Sequence, residues 1–401
     1  MPKPDKPELL SPVSDLVSLK AAIDAGADAV YFGLKELNMR ITAKNFDLGQ
    51  LRKVVKICHG RKVKAYLVLN TIIYSNELKR VNKIIEEAKK AKVDAVICWD
   101  ASVIEEVRKA GIPLHISTQA SVSNTEAARF YKKLGAKRIV LARELSLKQI
   151  SEIRKKAKIG VEVFVHGAMC VSVSGRCFMS QFVFGRSANR GDCLQPCRRE
   201  YLIKDTEDGY ELELGRNHVM SPKDLCALPF IEKLIEAKID AFKIEGRARS
   251  PEYVKVVTEC YREAIDAYFE KKLTKQLKTK LMKKLETVYN RGFSSGFYLG
   301  KPINEWASPE TKATEVKRFI GVVRNYYKKH SVAEIRLQAG GIKAGDRIMF
   351  QGPTTGVLEQ KVSSMQVSHR KVSEAGKGKN AGVKIKGIVR KNDKVFVVGK
   401  R

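Results

Sequence analysis

Five of the eight cysteines of this 401-residue chain fall between residues 170 and 226. Cys170, Cys177, Cys193 and Cys197 stand in the spacing C-x6-C-x15-C-x3-C, and Cys226 follows 29 residues later. Thiolates held by a fold rather than by a short motif are the ligands of iron–sulfur clusters, which impose no strict spacing. Structural zinc draws on tight C-x2–4-C knuckles, and among these four the Cys193/Cys197 pair alone fits that rule. A C-x3-C-x2-C motif is excluded, because Glu200 stands where its third cysteine would be. Gly167, Gly175 and Gly191 permit close backbone approach. Arg176, Arg186, Arg190, Arg198 and Arg199 bring positive charge that would offset an anionic cluster or contact phosphate. The favoured reading is a 4Fe-4S cluster on Cys170, Cys177, Cys193 and Cys197; zinc, disulfides and free thiols are the alternatives. Cys58, Cys98 and Cys260 stand singly in apolar or helical contexts, where an inert buried thiol is the default.

A second group with chemical potential lies at the ends of apolar runs: Asn70, Asp100, Gln119, Arg143, Glu144, His166, Glu245 and Arg247. Taken singly, each is most simply a helix cap. Taken together, they place polar groups at the same end of successive strands.

Eight such runs recur, beginning near residues 8, 29, 65, 95, 114, 138, 162 and 241. Continuous β-rich runs imply strands buried on both faces, as in a parallel sheet. Their lead-ins repeat weakly: Ala25-Gly26-Ala27-Asp28, Ala91-Lys92-Val93-Asp94, Leu134-Gly135-Ala136-Lys137 and Ala237-Lys238-Ile239-Asp240. Each reads as a helix end, a short turn and a strand start. Eight units predict a TIM-type (β/α)8 barrel over residues 1–312, whose C-terminal strand ends share one rim. An open doubly wound sheet is the alternative, and no phosphate-binding glycine motif supports it. Residues 168–240 read as a cysteine-rich insertion, longer than a barrel connection requires.

After about residue 312 the pattern changes to short strands separated by glycine turns, which predicts a small C-terminal β-barrel domain over 313–401. This region carries a large share of the chain's charge. The whole chain has 76 Lys+Arg against 44 Asp+Glu, a net charge of +32. Such an excess favours a polyanionic partner, tRNA or another RNA. A solvated thermophilic surface would carry matching acids, and here they do not keep pace. No run approaches the roughly 18 apolar residues of a membrane span. The polar, proline-rich start, Met1 to Pro7, lacks a signal-peptide core, so the expected location is cytoplasmic.

The segment Glu162 to Cys170, followed by Ser174-Gly175-Arg176-Cys177, resembles the hallmark of peptidase family U32, also called collagenase-like. The likeness spans residues 8 to about 300 and includes Gly26 to Gly33, Gln119-Ala120-Ser121, Asn189-Arg190-Gly191 and Lys243 to Arg247. The resemblance implies iron–sulfur proteins of oxygen-independent hydroxylation. Members are associated with tRNA wobble-uridine 5-hydroxylation, 23S ribosomal RNA cytidine hydroxylation and ubiquinone-ring hydroxylation. The RNA-modifying ones are associated with prephenate, here a candidate carboxylate cosubstrate. It also implies a fourth cluster ligand that varies, so Cys226 is the rival of Cys197.

A peptidase is the competing activity. It needs an activated nucleophile or a metal-bound water. His-Glu-x-x-His is missing from the sequence, and Gly292-Phe293-Ser294-Ser295-Gly296 matches G-x-S-x-G without a buried strand before it. The charge and the basic β-region suit an RNA substrate better than a quinone. On this reading Arg247 or Arg143 pairs with a carboxylate, Glu245 or His166 moves protons, and Glu144 completes the rim.

Overall fold

The computed structural model describes residues 5–401 except 202, 205–206, 208–210, 213–219, 304 and 308–309. The start of the chain, Met1 to Pro4, and much of the insertion after Tyr201 therefore lie outside the described residues.

Eight parallel strands close into a barrel: β1 (Glu8–Pro12), β2 (Ala29–Gly33), β3 (Lys64–Leu69), β4 (Ala95–Cys98), β5 (Leu114–Ile116), β6 (Ala136–Val140), β7 (Gly160–Gly167) and β8 (Ala241–Ile244). Closure comes from β8, which pairs in parallel with both β1 and β7. All eight expected runs are strands, several of them trimmed at their polar ends.

The repeated lead-in has a physical basis. Its second residue is left-handed every time, with φ +87° at Gly26, +60° at Lys92, +93° at Gly135 and +55° at Lys238. This conformation ends the helix and turns the chain back to the sheet. Where the repeat has Asp, its carboxylate accepts an N–H from the preceding barrel strand. Asp28 takes that of Leu9 (2.8 Å), Asp94 that of Ala65 (2.7 Å) and Asp240 that of Val161 (2.7 Å). The motif thus stitches adjacent strands at the barrel's lower end.

The helices cover the strands with apolar faces at helical spacing. In the helix Leu78–Ala91, Val81, Ile84, Ile85, Ala88 and Ala91 are buried, and each large aliphatic chain contributes on the order of 1.5–3 kcal/mol. The barrel interior departs from the usual aliphatic layers. A column of charge runs through it. Arg138 reaches Glu8 (2.5 Å) and Glu162 (3.4 Å), and Glu162 receives Lys243 Nζ (2.8 Å).

The long connection after β7 returns through a short strand, Asp224–Cys226, which runs antiparallel to β7 with Cys226 opposite His166. The helix Ile231–Glu236 then supplies the ordinary barrel helix before β8. The insertion proper is therefore shorter than the expected 168–240.

The C-terminal region is an eight-stranded antiparallel sheet around its own hydrophobic cluster. Its strands include Gly356–Lys361, Met365–Val367, Asn380–Lys384 and Lys394–Lys400. Backbone pairing does not close this sheet. Its edge strand Gly356–Lys361 is instead joined to the far side by Gln360, whose Nε2 donates to Lys384 O (2.7 Å) and whose Oε1 accepts from Lys386 N (2.8 Å). The first and last strands are neighbours: Glu315 pairs with Lys400, and Arg401 N donates to Thr314 O (2.9 Å). The sheet seats on the barrel through Ala21, Met349, Val357 and Val398, and through Glu252, which accepts from Lys317 and Gln351 (2.8 Å each).

Candidate active site at the barrel mouth

At the C-terminal ends of the strands lies a cavity of about 60 Å³, lined by Tyr31, Arg40, Asn70, Gln119, Lys243, Glu245 and Arg247 among others. Barrel geometry accounts for this set. Asn70 and Glu245 directly follow β3 and β8, Gln119 lies just beyond β5, and Lys243 rises from within β8.

Glu245 is buried beneath cations. Burial alone would push its carboxyl up, but Arg40, Arg249, Arg143 and Arg247 outweigh it and hold it below the usual carboxylate range. Arg40 Nη2 lies 3.3 Å from Glu245 Oε1. Arg247 is 4% exposed, its Nη1 has no hydrogen-bond partner among the described residues, and burial pushes its guanidinium down to about 10. Lys243 Nζ lies 4.4 Å from the centre of the Tyr31 ring. Two unlike features thus coexist: a carboxylate held charged, and an unpaired guanidinium suited to an anion.

Of the five residues expected to carry chemistry, Glu245 and Arg247 line this cavity, beside the rim residues Asn70 and Gln119. The other three do not. His166 turns towards the helix Pro251–Phe269, packing on Tyr253, Tyr261 and Phe293. Burial and then the Arg249 charge lower its pKa to about 3, so it is neutral. Arg143 sits behind Phe164, over whose ring its guanidinium stacks at 4.3 Å, and donates to Ala168 O (2.8 Å). Glu144 is exposed and faces away. A bulge in the β7–β8 pairing between Lys243 and Ile244 shifts the register beside His166. Strict alternation could not have anticipated it.

Arg40 and Lys243 were missed by sequence reasoning, Arg40 because it lies in a loop without an apolar run to mark it. Its guanidinium faces burial, then Glu245, Cys170 and Cys193, and these charges raise its pKa. The cysteine insertion is therefore the roof of the cavity. Its docking is close: a Cβ on Gly191 would lie 2.0 Å from Asn38 O, and one on Gly175 would lie 2.6 Å from Gln119 Cγ. Ile41 N donates to Gly191 O (3.2 Å). Arg198 ties the roof down through Ser221 Oγ (2.7 Å), Pro222 O (2.9 Å) and Met169 O.

The four cysteines are free thiols, Cys170 exposed and the others half-buried. Burial raises the pKa of Cys193 and Cys197, and the charges of the other cysteines raise both further. Arg40 opposes this at Cys193 and Arg198 at Cys197. The arginine charge beside Cys193 and Cys197 favours the thiolate form that a metal core would bind. Among the described residues the side chains do not converge to ligand geometry. Cys226 is elsewhere: it is buried in the core against Tyr261 Oη (3.8 Å) and Met282 Sδ (3.7 Å). The loop arginines are less free than expected, since Arg186 pairs with Asp192 and Arg190 with Glu77.

Residues 14–308 match peptidase family U32. The chain belongs to this family. An uncharacterized protease of Methanocaldococcus jannaschii is 47% identical over 98% of both chains. A Porphyromonas gingivalis protein named collagenase is 41% identical, again over 98% of both. The tRNA hydroxylation protein P1 of Bacillus subtilis is 35% identical over 87% of this chain and 84% of its own. All these names describe enzymes, and this U32 chain is an enzyme. Its G-x-S-x-G segment is no nucleophile elbow: Phe293–Ser294 is a two-residue strand, and Ser294 Oγ accepts from Gly296 N (3.2 Å) within a turn. No helix among the described residues is long and apolar enough to cross a membrane.

Proposed function

We propose that this U32 protein hydroxylates RNA in the cytoplasm, converting the tRNA wobble uridine to 5-hydroxyuridine, with a 4Fe-4S cluster on Cys170, Cys177, Cys193 and Cys197. The observation that supports this reading is the cysteine insertion packed over a polar cavity, with Gly191 against Asn38, Gly175 against Gln119 and Arg40 paired with Glu245 beneath. The Bacillus relative named for tRNA hydroxylation supports RNA as the substrate, as does an Escherichia coli 23S rRNA 5-hydroxycytidine C2501 synthase, 40% identical over 66% of this chain and 40% of its own. When bound, the cluster supplies electron-transfer chemistry.

The chain's own residues bind and orient. Arg247, with its unpaired Nη1, and Lys243 hold a carboxylate cosubstrate such as prephenate, or a phosphate. Asn70 and Gln119 offer amides to the edge of a base. Glu245, kept as a carboxylate, accepts a proton or an N–H from the base. His166 takes no part, because its ring is enclosed by aromatic side chains.

Mass spectrometry of tRNA from a strain lacking the gene tests the proposal. The expected result is loss of 5-hydroxyuridine, restored by the wild-type gene and not by Cys170→Ser. Unchanged 5-hydroxyuridine sinks it. The names of the Methanocaldococcus and Porphyromonas relatives favour a second reading, a peptidase. Gelatin cleavage that survives iron removal by a chelator would establish that reading instead.

A further inference from the structure

Between the barrel mouth and the C-terminal sheet runs a second cavity, of about 630 Å³. Its walls are the turn after β1, the loop carrying Lys44, the segment after β8 and the turns at Gly352 and Asn392. Five cationic side chains line it, Lys44, Arg247, Arg249, Lys317 and Lys394, against one acid, Asp15. Asp15 caps a helix at Ser18 N (2.7 Å) and pairs with Lys44 (2.7 Å), and Lys317 pairs with Glu252 (2.8 Å), so Arg247, Arg249 and Lys394 are the lining cations without a carboxylate partner among the described residues. The half-buried Phe396 ring adds an aromatic surface. A basic cleft with an aromatic wall has the chemistry that binds single-stranded nucleic acid.

Arg247 lines both this cleft and the cavity above Lys243. It is the residue common to both linings, and its Nη1 is buried without a hydrogen-bond partner among the described residues. Building on the RNA reading above, we infer that the cleft is the track of a single RNA strand, and that Arg247 marks the place where one nucleotide leaves the strand for the cavity. Arg247 would hold the phosphate of the extruded nucleotide while its base enters between Asn70 and Glu245. Enzymes acting on a base generally take it out of the stack in this way.

The test uses the full-length protein, purified anaerobically, with bulk tRNA in filter binding across a salt series. Each lost phosphate contact lowers the slope of log affinity against log salt by about 0.7 for single strands. Lys44→Ala/Lys394→Ala is expected to flatten the slope by about 1.4 and to weaken binding about ten-fold. Lys44→Arg/Lys394→Arg should keep the wild-type slope, and so should Lys275→Ala/Lys283→Ala on the outer helix Lys275–Leu285. Thermal melts confirm that each variant is folded. If wild-type protein binds tRNA and the cleft variant keeps its slope, the strand runs elsewhere and the inference is overturned, with the RNA reading intact. If wild-type protein does not bind tRNA, the RNA reading itself fails and the inference falls with it.

Discussion

Arg40 Nη2 stands 3.3 Å from Glu245 Oε1, so a residue of the loop after β2 neutralises the residue that follows β8. The same guanidinium faces Cys170 and Cys193 in the roof. One cation therefore acts on both halves of the site. Arg40→Met should leave Glu245 buried without its nearest partner, raise its pKa and reduce hydroxylation on the order of 100-fold with the barrel intact. Adding Glu245→Gln should cost less than the sum of the two single changes, because the groups interact directly. Additive losses in a double-mutant cycle would show that the pair is not coupled.

Iron analysis separates the cysteines. Serine at Cys170, Cys177, Cys193 or Cys197 should each abolish the absorbance near 400 nm and most of the roughly four iron atoms per chain. Cys226→Ala should keep the iron and cost about 1 kcal/mol of stability, since its thiol packs in the core. Iron lost from Cys226→Ala but kept in Cys197→Ser would reverse the ligand assignment.

Stability should fall early on acidification. His115 is lowered to about 3 by burial and then Arg138, and His166 to about 3 by burial and then Arg249, against an ordinary 6.5. The unfolded chain therefore binds these protons first, so stability is complete above about 6.5 and declines as pH drops towards 3. The two together are worth up to about 3 kcal/mol between pH 6.5 and about pH 5. For Glu8, burial pushes the carboxyl up, but Arg138 and Lys64 bring it to about 2 from an ordinary 4.5, so its contribution is lost between those values. Urea unfolding at stepped pH measures the decline, and His166→Gln should remove about half of the first phase. A flat profile from neutral pH to about pH 5 would contradict two buried neutral imidazoles.

Gly191→Ala should detach the roof without unfolding the barrel. At φ +87° a side chain is strained by roughly 1–2 kcal/mol, and its Cβ would overlap Asn38 O. The expected outcome is loss of activity and faster tryptic cleavage within residues 176–199, with the melting transition of the barrel preserved.

The charge column inside the barrel makes an opposite kind of prediction. Lys243→Met should destabilise by about 3–5 kcal/mol, because it leaves Glu162 buried with Arg138 as its remaining partner. Lys243→Met/Glu162→Gln should recover much of that loss in chemical denaturation.

The barrel was readable because its signal is periodic: eight apolar runs and a repeated turn whose second residue is left-handed and whose Asp stitches strands. The clustering of the cysteines was visible in the sequence, and the position of their segment over the cavity was not, since it depends on contacts such as Gly191 with Asn38. Among the rim candidates, Glu245 and Arg247 follow β8 directly and fell where alternation places them. His166 did not, because a bulge beside it turns the ring outward. Arg40 and Lys243 escaped notice for different reasons. The first lies in an irregular loop, and the second is a charge within an otherwise apolar strand.

The pairing of Glu315 with Lys400, and of Arg401 with Thr314, brings the chain into and out of the C-terminal sheet at a single point. A unit with adjoining ends is the kind that evolution can append or delete without rerouting the rest of the polypeptide. The same barrel and roof could therefore be matched to different substrates by exchanging what hangs from that one seam.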